Sequence, residues 1–144
     1  MPYTTAQAVQ DRISLPMLIL LTDRGAEPTG QVGAAVLARA QADADAVIDG
    51  YLRAGGYEVP LAVASPIVTD IALALTVYKL HVTEPEAKVK ADYQDAMKQL
   101  REIAARTLVL TDAAGAEPAA TDGSGVQTAD RDRPFTNENL RGFV

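Results

Sequence analysis

The chain has 144 residues, 19 acidic against 13 basic, an apolar share of 48%, and neither cysteine nor tryptophan. That length suits one domain with a real core, and the absence of cysteine excludes disulfides, thiolate metal sites and a cysteine nucleophile. The net charge of −6 argues against a protein that grips nucleic-acid phosphates, and no apolar run reaches the roughly 18 residues of a membrane span. The opening residues lack the basic, apolar and cleavage-site order of a secretory leader. Ala and Leu dominate the apolar set, which favours helix over sheet.

In chain order, Thr4 or Thr5 is placed to cap a short helix ending near Ile13. Ser14 and Pro16 start a second short helix, Pro16 to Leu21, whose leucine-rich side calls for burial. The stretch LTDRGAEPTG is a loop. A long helix is expected over 31–54, because Val32, Val36, Ala40, Ala44, Val47, Ile48, Tyr51 and Leu52 recur at spacings of three and four. Gly55 and Gly56 end it, since glycine accepts the left-handed backbone of a helix C-terminus. Pro60 forbids helix in the connector GYEVPLAVAS and drives Val59 extended.

Ser65 then reads as an N-cap with Pro66 at the first helical position, where its missing N–H costs nothing. The helix from Pro66 to about Val82 is apolar around most of its circumference, with Thr69, Thr76, Lys79 and Thr83 as a narrow polar stripe and Asp70 to one side. Such a helix is central in a bundle. Thr83 and Glu86 have the spacing of a capping box for a last helix running to about Leu108. Val89, Tyr93, Ala96, Met97, Leu100, Ile103 and Ala104 form its stripe. Glu86–Lys90 and Glu102–Arg106 are i,i+4 pairs in the favourable order. The body, residues 1–110, therefore reads as an all-α bundle of four to five helices, two long ones packed on a buried third.

From Thr111 the composition turns to Ala, Gly, Asp, Thr and Pro, too poor in apolar residues to offset its own ordering entropy. Residues 111–144 read as an extended arm, disordered alone and ordered by partner subunits. Its end, RPFTNENLRGFV, holds both phenylalanines of the chain. Arg131, Arg133, Phe135, Leu140, Arg141 and Phe143 have the character of docking anchors on a spacer. The arm could reach on the order of 110 Å fully extended, at about 3.3 Å per residue.

Catalytic and cofactor readings find little support. Asp45 and Asp49 share a helical face, with Asp43 across the helix and no histidine nearby, so a solvated or channel-facing acidic patch is preferred to a metal site. His81, the sole histidine, sits at a helix end where its charge is favourable. The glycines around Ser124 and Gly30–Gly33 lack the lysine and the strand of a phosphate loop. No cofactor and no metal are expected. An enzyme such as a carboxylate-metal hydrolase would need three helical ligand positions on one face, and a small DNA-binding or regulatory protein would need a basic recognition helix. Neither is present.

Six pieces in order, LTDR, DADAVIDGYL, GYEVPL, SPIVTDIALALTVYKL, EAKVKADYQDAMKQLREIA and FTNENLRGF, resemble the Mu-like bacteriophage head–tail connector family, long described only as phage proteins of unknown function. The resemblance covers nearly the whole chain. It implies a virion protein of the neck, made in the host cytoplasm and not enzymatic. Identical subunits would form a ring, typically of twelve copies, beneath the portal protein. The ring would extend the DNA channel and join the capsid to a stopper or tail-completion protein, and the C-terminal arm would engage the portal. No calcium site is carried over to the Asp23–Gln31 loop. In such a ring, Tyr51, Gly55, Gly56, Tyr57, Pro60 and Leu61 would form an inter-subunit elbow, with Tyr51, Tyr57 and Leu61 plugging the corner. An acidic channel wall, with Asp45 and Asp49 as candidates, would let genomic DNA pass without sticking.

Overall fold

A computed structural model describes residues 2–111 and 117–118. Five helices and no strand occur among them: α1 (Ala6–Ile13), α2 (Leu15–Thr22), α3 (Ala34–Ala54), α4 (Pro66–Leu80) and α5 (Ala87–Ala104). The all-α expectation holds, and the reason is visible in the core. Val68, Ile71, Ala72 and Leu75 of α4 are fully enclosed. They meet Ala44, Ile48 and Leu52 of α3 and Ala96, Leu100 and Ile103 of α5. Helix α4 thus lies between two longer helices that also touch each other. A second, smaller core forms where Val9 of α1 and Leu18 of α2 cover Leu37 and Ala40 of α3 and Val77 and Leu80 of α4.

The caps follow the sequence at the first helix and depart from it later. Thr5 Oγ1 accepts the Ala8 N–H at 3.2 Å, so the expected cap of α1 is in place. Ser14 turns the chain between α1 and α2 with φ of 70°, a left-handed conformation uncommon for a residue with a Cβ. Helix α2 buries only Leu18 and Thr22 fully, and Leu20 stays 73% exposed beside the exposed Leu15 and Met17. The expected burial of its whole leucine-rich side is therefore corrected: with eight residues lying on one flank of the bundle, only one stripe of α2 meets the body.

Helix α3 begins at Ala34 rather than at 31, because Thr29 and Gly30 donate their N–H groups to Asp23 Oδ2 in the preceding loop. Leu37, outside the expected apolar set, is buried. Helix α4 stops at Leu80, where His81 Nδ1 donates to the Val77 carbonyl at 2.8 Å. Thr76, expected in the polar stripe, is instead fully enclosed, because α4 is packed by α3, α5 and α1.

The capping box of the last helix does not form. Helix α5 starts at Ala87 with Glu86 as its cap residue and no side-chain bond there. Lys90 pairs with Glu84, not Glu86. The helix is 18 residues long, roughly 27 Å at 1.5 Å per residue, and ends four residues short of Leu108. Arg12 of α1 bonds Asp70 of α4 at 3.2 Å and reaches Asp92 of α5 at 3.6 Å. These are exposed pairs that orient the short helix and contribute little energy.

Candidate functional site

The elbow between α3 and α4 is built by two glycines with different tasks. Gly56 has φ of 78°, a conformation that a side chain resists. Gly55 keeps a right-handed backbone, but a Cβ there would stand 3.0 Å from the Ile103 carbonyl oxygen. The end of α3 can approach the end of α5 only without that carbon. Tyr57 then donates its N–H back to the Leu52 carbonyl and drops its ring into the core, 1% exposed. The Val59–Pro60 peptide is cis. Tyr51 and Leu61 pack half-buried against the same core, while Pro60 is exposed.

What the elbow holds is the start of the arm. The Tyr57 hydroxyl accepts the Leu110 N–H at 3.2 Å, and the Leu110 side chain is wholly enclosed. Ser65 is the N-cap residue of α4 but makes no cap bond. Its hydroxyl donates instead to the Thr111 carbonyl at 2.6 Å, which corrects the expected capping role. Arg106 completes the junction. Its Nε donates to the Gly55 carbonyl, its guanidinium lies 4.4 Å over the Tyr57 ring, and its Nη1 meets Glu117 at 2.6 Å.

The spacing of Glu102 and Arg106 predicts an i,i+4 pair on a continuing helix, and the structure departs from it. Because α5 ends at Ala104, Arg106 turns left-handed with φ of 58° and swings its side chain to the elbow. Sequence spacing carried no signal for that. A groove of about 280 Å³ remains between Glu58, Pro60, Leu61 and Val63 of the connector and Glu117 and Pro118 of the arm.

Asp45 and Asp49 adjoin this junction through Tyr3. The Tyr3 N–H donates to Asp45 at 3.2 Å, and its hydroxyl donates to Asp49 while accepting the Leu61 N–H at 3.1 Å. Both carboxylates are partly buried and serve to bind the N-terminal segment to α3 and the elbow. Burial raises the Tyr3 hydroxyl to a pKa of about 12, reinforced by the bond to Asp49. Burial also raises the Asp45 carboxyl, against the opposing effect of the Tyr3 N–H.

A second clasp lies at the other end of α4, built by the LTDR motif. Thr22 Oγ1 donates to the Leu18 carbonyl and accepts the Gly33 N–H. Arg24 donates to the carbonyls of Leu21 and Leu80 at 3.0 and 2.7 Å. The LTDR motif thus ties the α2–α3 loop to the end of α4.

Among the described residues no group of three or more His, Asp or Glu side chains could hold a metal, and no helix is long and apolar enough to cross a membrane. The docking candidates Arg131, Arg133, Phe135, Leu140, Arg141 and Phe143 lie outside the described residues.

Comparison with known proteins gives this architecture a lineage. The sequence profile of the family described as Bacteriophage Mu, Gp36 matches residues 3–128, from the tyrosine that binds the α3 carboxylates through the elbow and into the arm. A relative, "Gene product J" of Escherichia phage Mu, is 28% identical over 145 residues, covering 100% of both chains. The chain belongs to the bacteriophage Mu Gp36 family.

Proposed function

We propose that the protein is a structural component of a tailed phage virion, an adaptor that forms a ring of identical subunits, twelve in the expected case, beneath the portal. The ring continues the DNA channel and presents a platform to a stopper or tail-completion protein. It assembles in the host cytoplasm and ends in the neck of the particle. Membership of a phage Mu family supports the viral setting. The observation that carries the adaptor reading is the seat of the arm: Tyr57, Ser65 and Arg106 bind the chain at Leu110, Thr111 and Glu117 to the elbow. Whatever the terminal segment grips is then mechanically joined to the helical body.

The exposed apolar residues of α2, Leu15, Met17 and Leu20, supply surface for packing against a neighbour. In a closed ring the two contacting faces of each subunit are unlike, and a weak grip repeated around the ring becomes strong through linkage. The test is to mix the chain with the portal protein of the same phage and image it by electron microscopy. Rings seated on the portal are expected with the full chain, and loss of seating is expected once Arg131–Val144 are deleted. Undiminished seating by the truncated chain would remove the arm from the interaction, and no association of the full chain would overturn the adaptor reading.

A further inference from the structure

The groove between the connector and the arm's root has a lining suited to one particular segment of this chain. Pro60, Leu61, Val63 and Pro118 supply apolar surface, and Val63 is 60% exposed. The charges that line it, Glu58 and Glu117, are both negative, and Glu117 shares its charge with Arg106. Among the described residues no basic side chain lines the groove. Beyond Pro118 the chain continues for 26 residues and ends in Phe135, Leu140, Phe143 and Val144. Residues 131–144 carry three arginines against Asp132 and Glu138, a net of +1, whereas residues 1–110 carry 10 basic and 13 acidic groups, a net of −3. The terminal segment is therefore apolar and positive where the groove is apolar and negative.

We propose that in the free chain this groove holds the chain's own terminal segment, Arg131–Val144, until a larger partner surface competes for it. The tether makes the same chain the favoured source. Residues 119–130 are mostly Ala, Gly, Ser, Thr and Asp, and an unstructured chain of such composition would span about 23 Å r.m.s. over the 17 residues that separate Pro118 from Phe135. The groove starts at Pro118 itself, so the tether has almost no distance to bridge. A tether of this length would give an effective concentration in the millimolar range, above that of a second copy at micromolar protein. The proposal rests on the adaptor reading only in naming the portal as the competitor.

The chain has no cysteine, so a thiol introduced as Val63→Cys in the full-length protein reports on the groove alone. With the native tip, labelling of that thiol is expected to be about tenfold slower than with Phe135→Ala and Phe143→Ala together, the protection given when a millimolar tether acts on a local dissociation constant near 0.1 mM. Glu58→Lys should accelerate labelling in the same direction. Protection independent of protein concentration supports the intrachain latch. Protection that grows with concentration assigns the groove to a second copy and overturns it, as do equal labelling rates with either tip. Portal binding by the same variants is scored separately. Protection without portal binding would leave the latch standing and remove the adaptor, whereas portal binding that needs the phenylalanines, with no protection of the groove, would do the reverse.

Discussion

Tyr3 shows how one side chain can hold three distant segments. Its hydroxyl serves as donor to Asp49 and acceptor from Leu61, 46 and 58 residues away. Tyr3→Phe keeps the ring but leaves a partly buried carboxylate and a backbone N–H without this partner, so a loss of about 1–3 kcal/mol is expected in denaturant melts. The titration adds a sign. A tyrosine raised to about 12 binds its proton more tightly in the folded state than in the unfolded chain. Its contribution is therefore whole below pH 10 and lost as pH rises from about 10 to 12. The wild-type melt should fall across that window more steeply than that of Tyr3→Phe. Asp45 is also shifted upward, so its burial weakens the fold as it ionises above the usual carboxylate range.

Thr76 offers the opposite case. Its hydroxyl is enclosed with no hydrogen-bond partner among the described residues, and an unpaired buried hydroxyl costs the fold its desolvation. Thr76→Val should raise stability by about 1 kcal/mol, measured as a shift in the denaturant midpoint.

At the scale of elements, α4 and the elbow answer to different physics. Leu75 is fully buried in α4 between α3 and α5. Leu75→Asp would place a charge where no partner waits, and loss of the cooperative thermal transition is expected by circular dichroism. The elbow is a matter of backbone. Gly56→Val forces a β-branched side chain into a left-handed conformation. It should cost about 1–2 kcal/mol and disturb the seat of the arm more than the helix content, with imaging of rings as the readout. Arg106 also stands left-handed but earns its place through its side chain. Arg106→Ala loses the bonds to Gly55 and Glu117 and keeps the strain. Arg106→Gly loses the same bonds and relieves the strain, so the alanine variant should melt lower than the glycine variant.

For the whole molecule, two clasps bracket α4. Tyr57, Ser65 and Arg106 close one end, and Arg24 closes the other by binding the Leu80 carbonyl. The 15 residues between them separate the clasps by about 22 Å. Removing Arg131–Val144 leaves both clasps and both cores untouched but empties the groove, so the truncated chain should lose only the latch, about 1.4 kcal/mol for tenfold protection, in a denaturant melt. An unchanged melt would count against the latch, and a much larger loss would mean that the terminal segment braces the cores as well.

Helix number, the glycine–proline break at the elbow, the central place of the helix from Pro66 and the absence of thiol chemistry were all legible in the residues. Apolar periodicity and strong breakers act over a few neighbours, so they place the helices, whereas the start of α3 and the end of α5 shift with bonds made elsewhere. The finer assignments failed wherever a polar side chain had a choice of partners. Ser65 left its own cap for Thr111, Arg106 left Glu102 for the elbow, and the box between Thr83 and Glu86 stayed open. The decisive bonds at Tyr3, Ser65, Arg106 and Leu110 join residues more than 40 positions apart, apart from that to Glu117. Sequence by itself determined which segments are helical and where they break. Only the tertiary structure decided which distant segments meet, because a hydrogen-bonding side chain takes the partner that packing of the cores brings within reach.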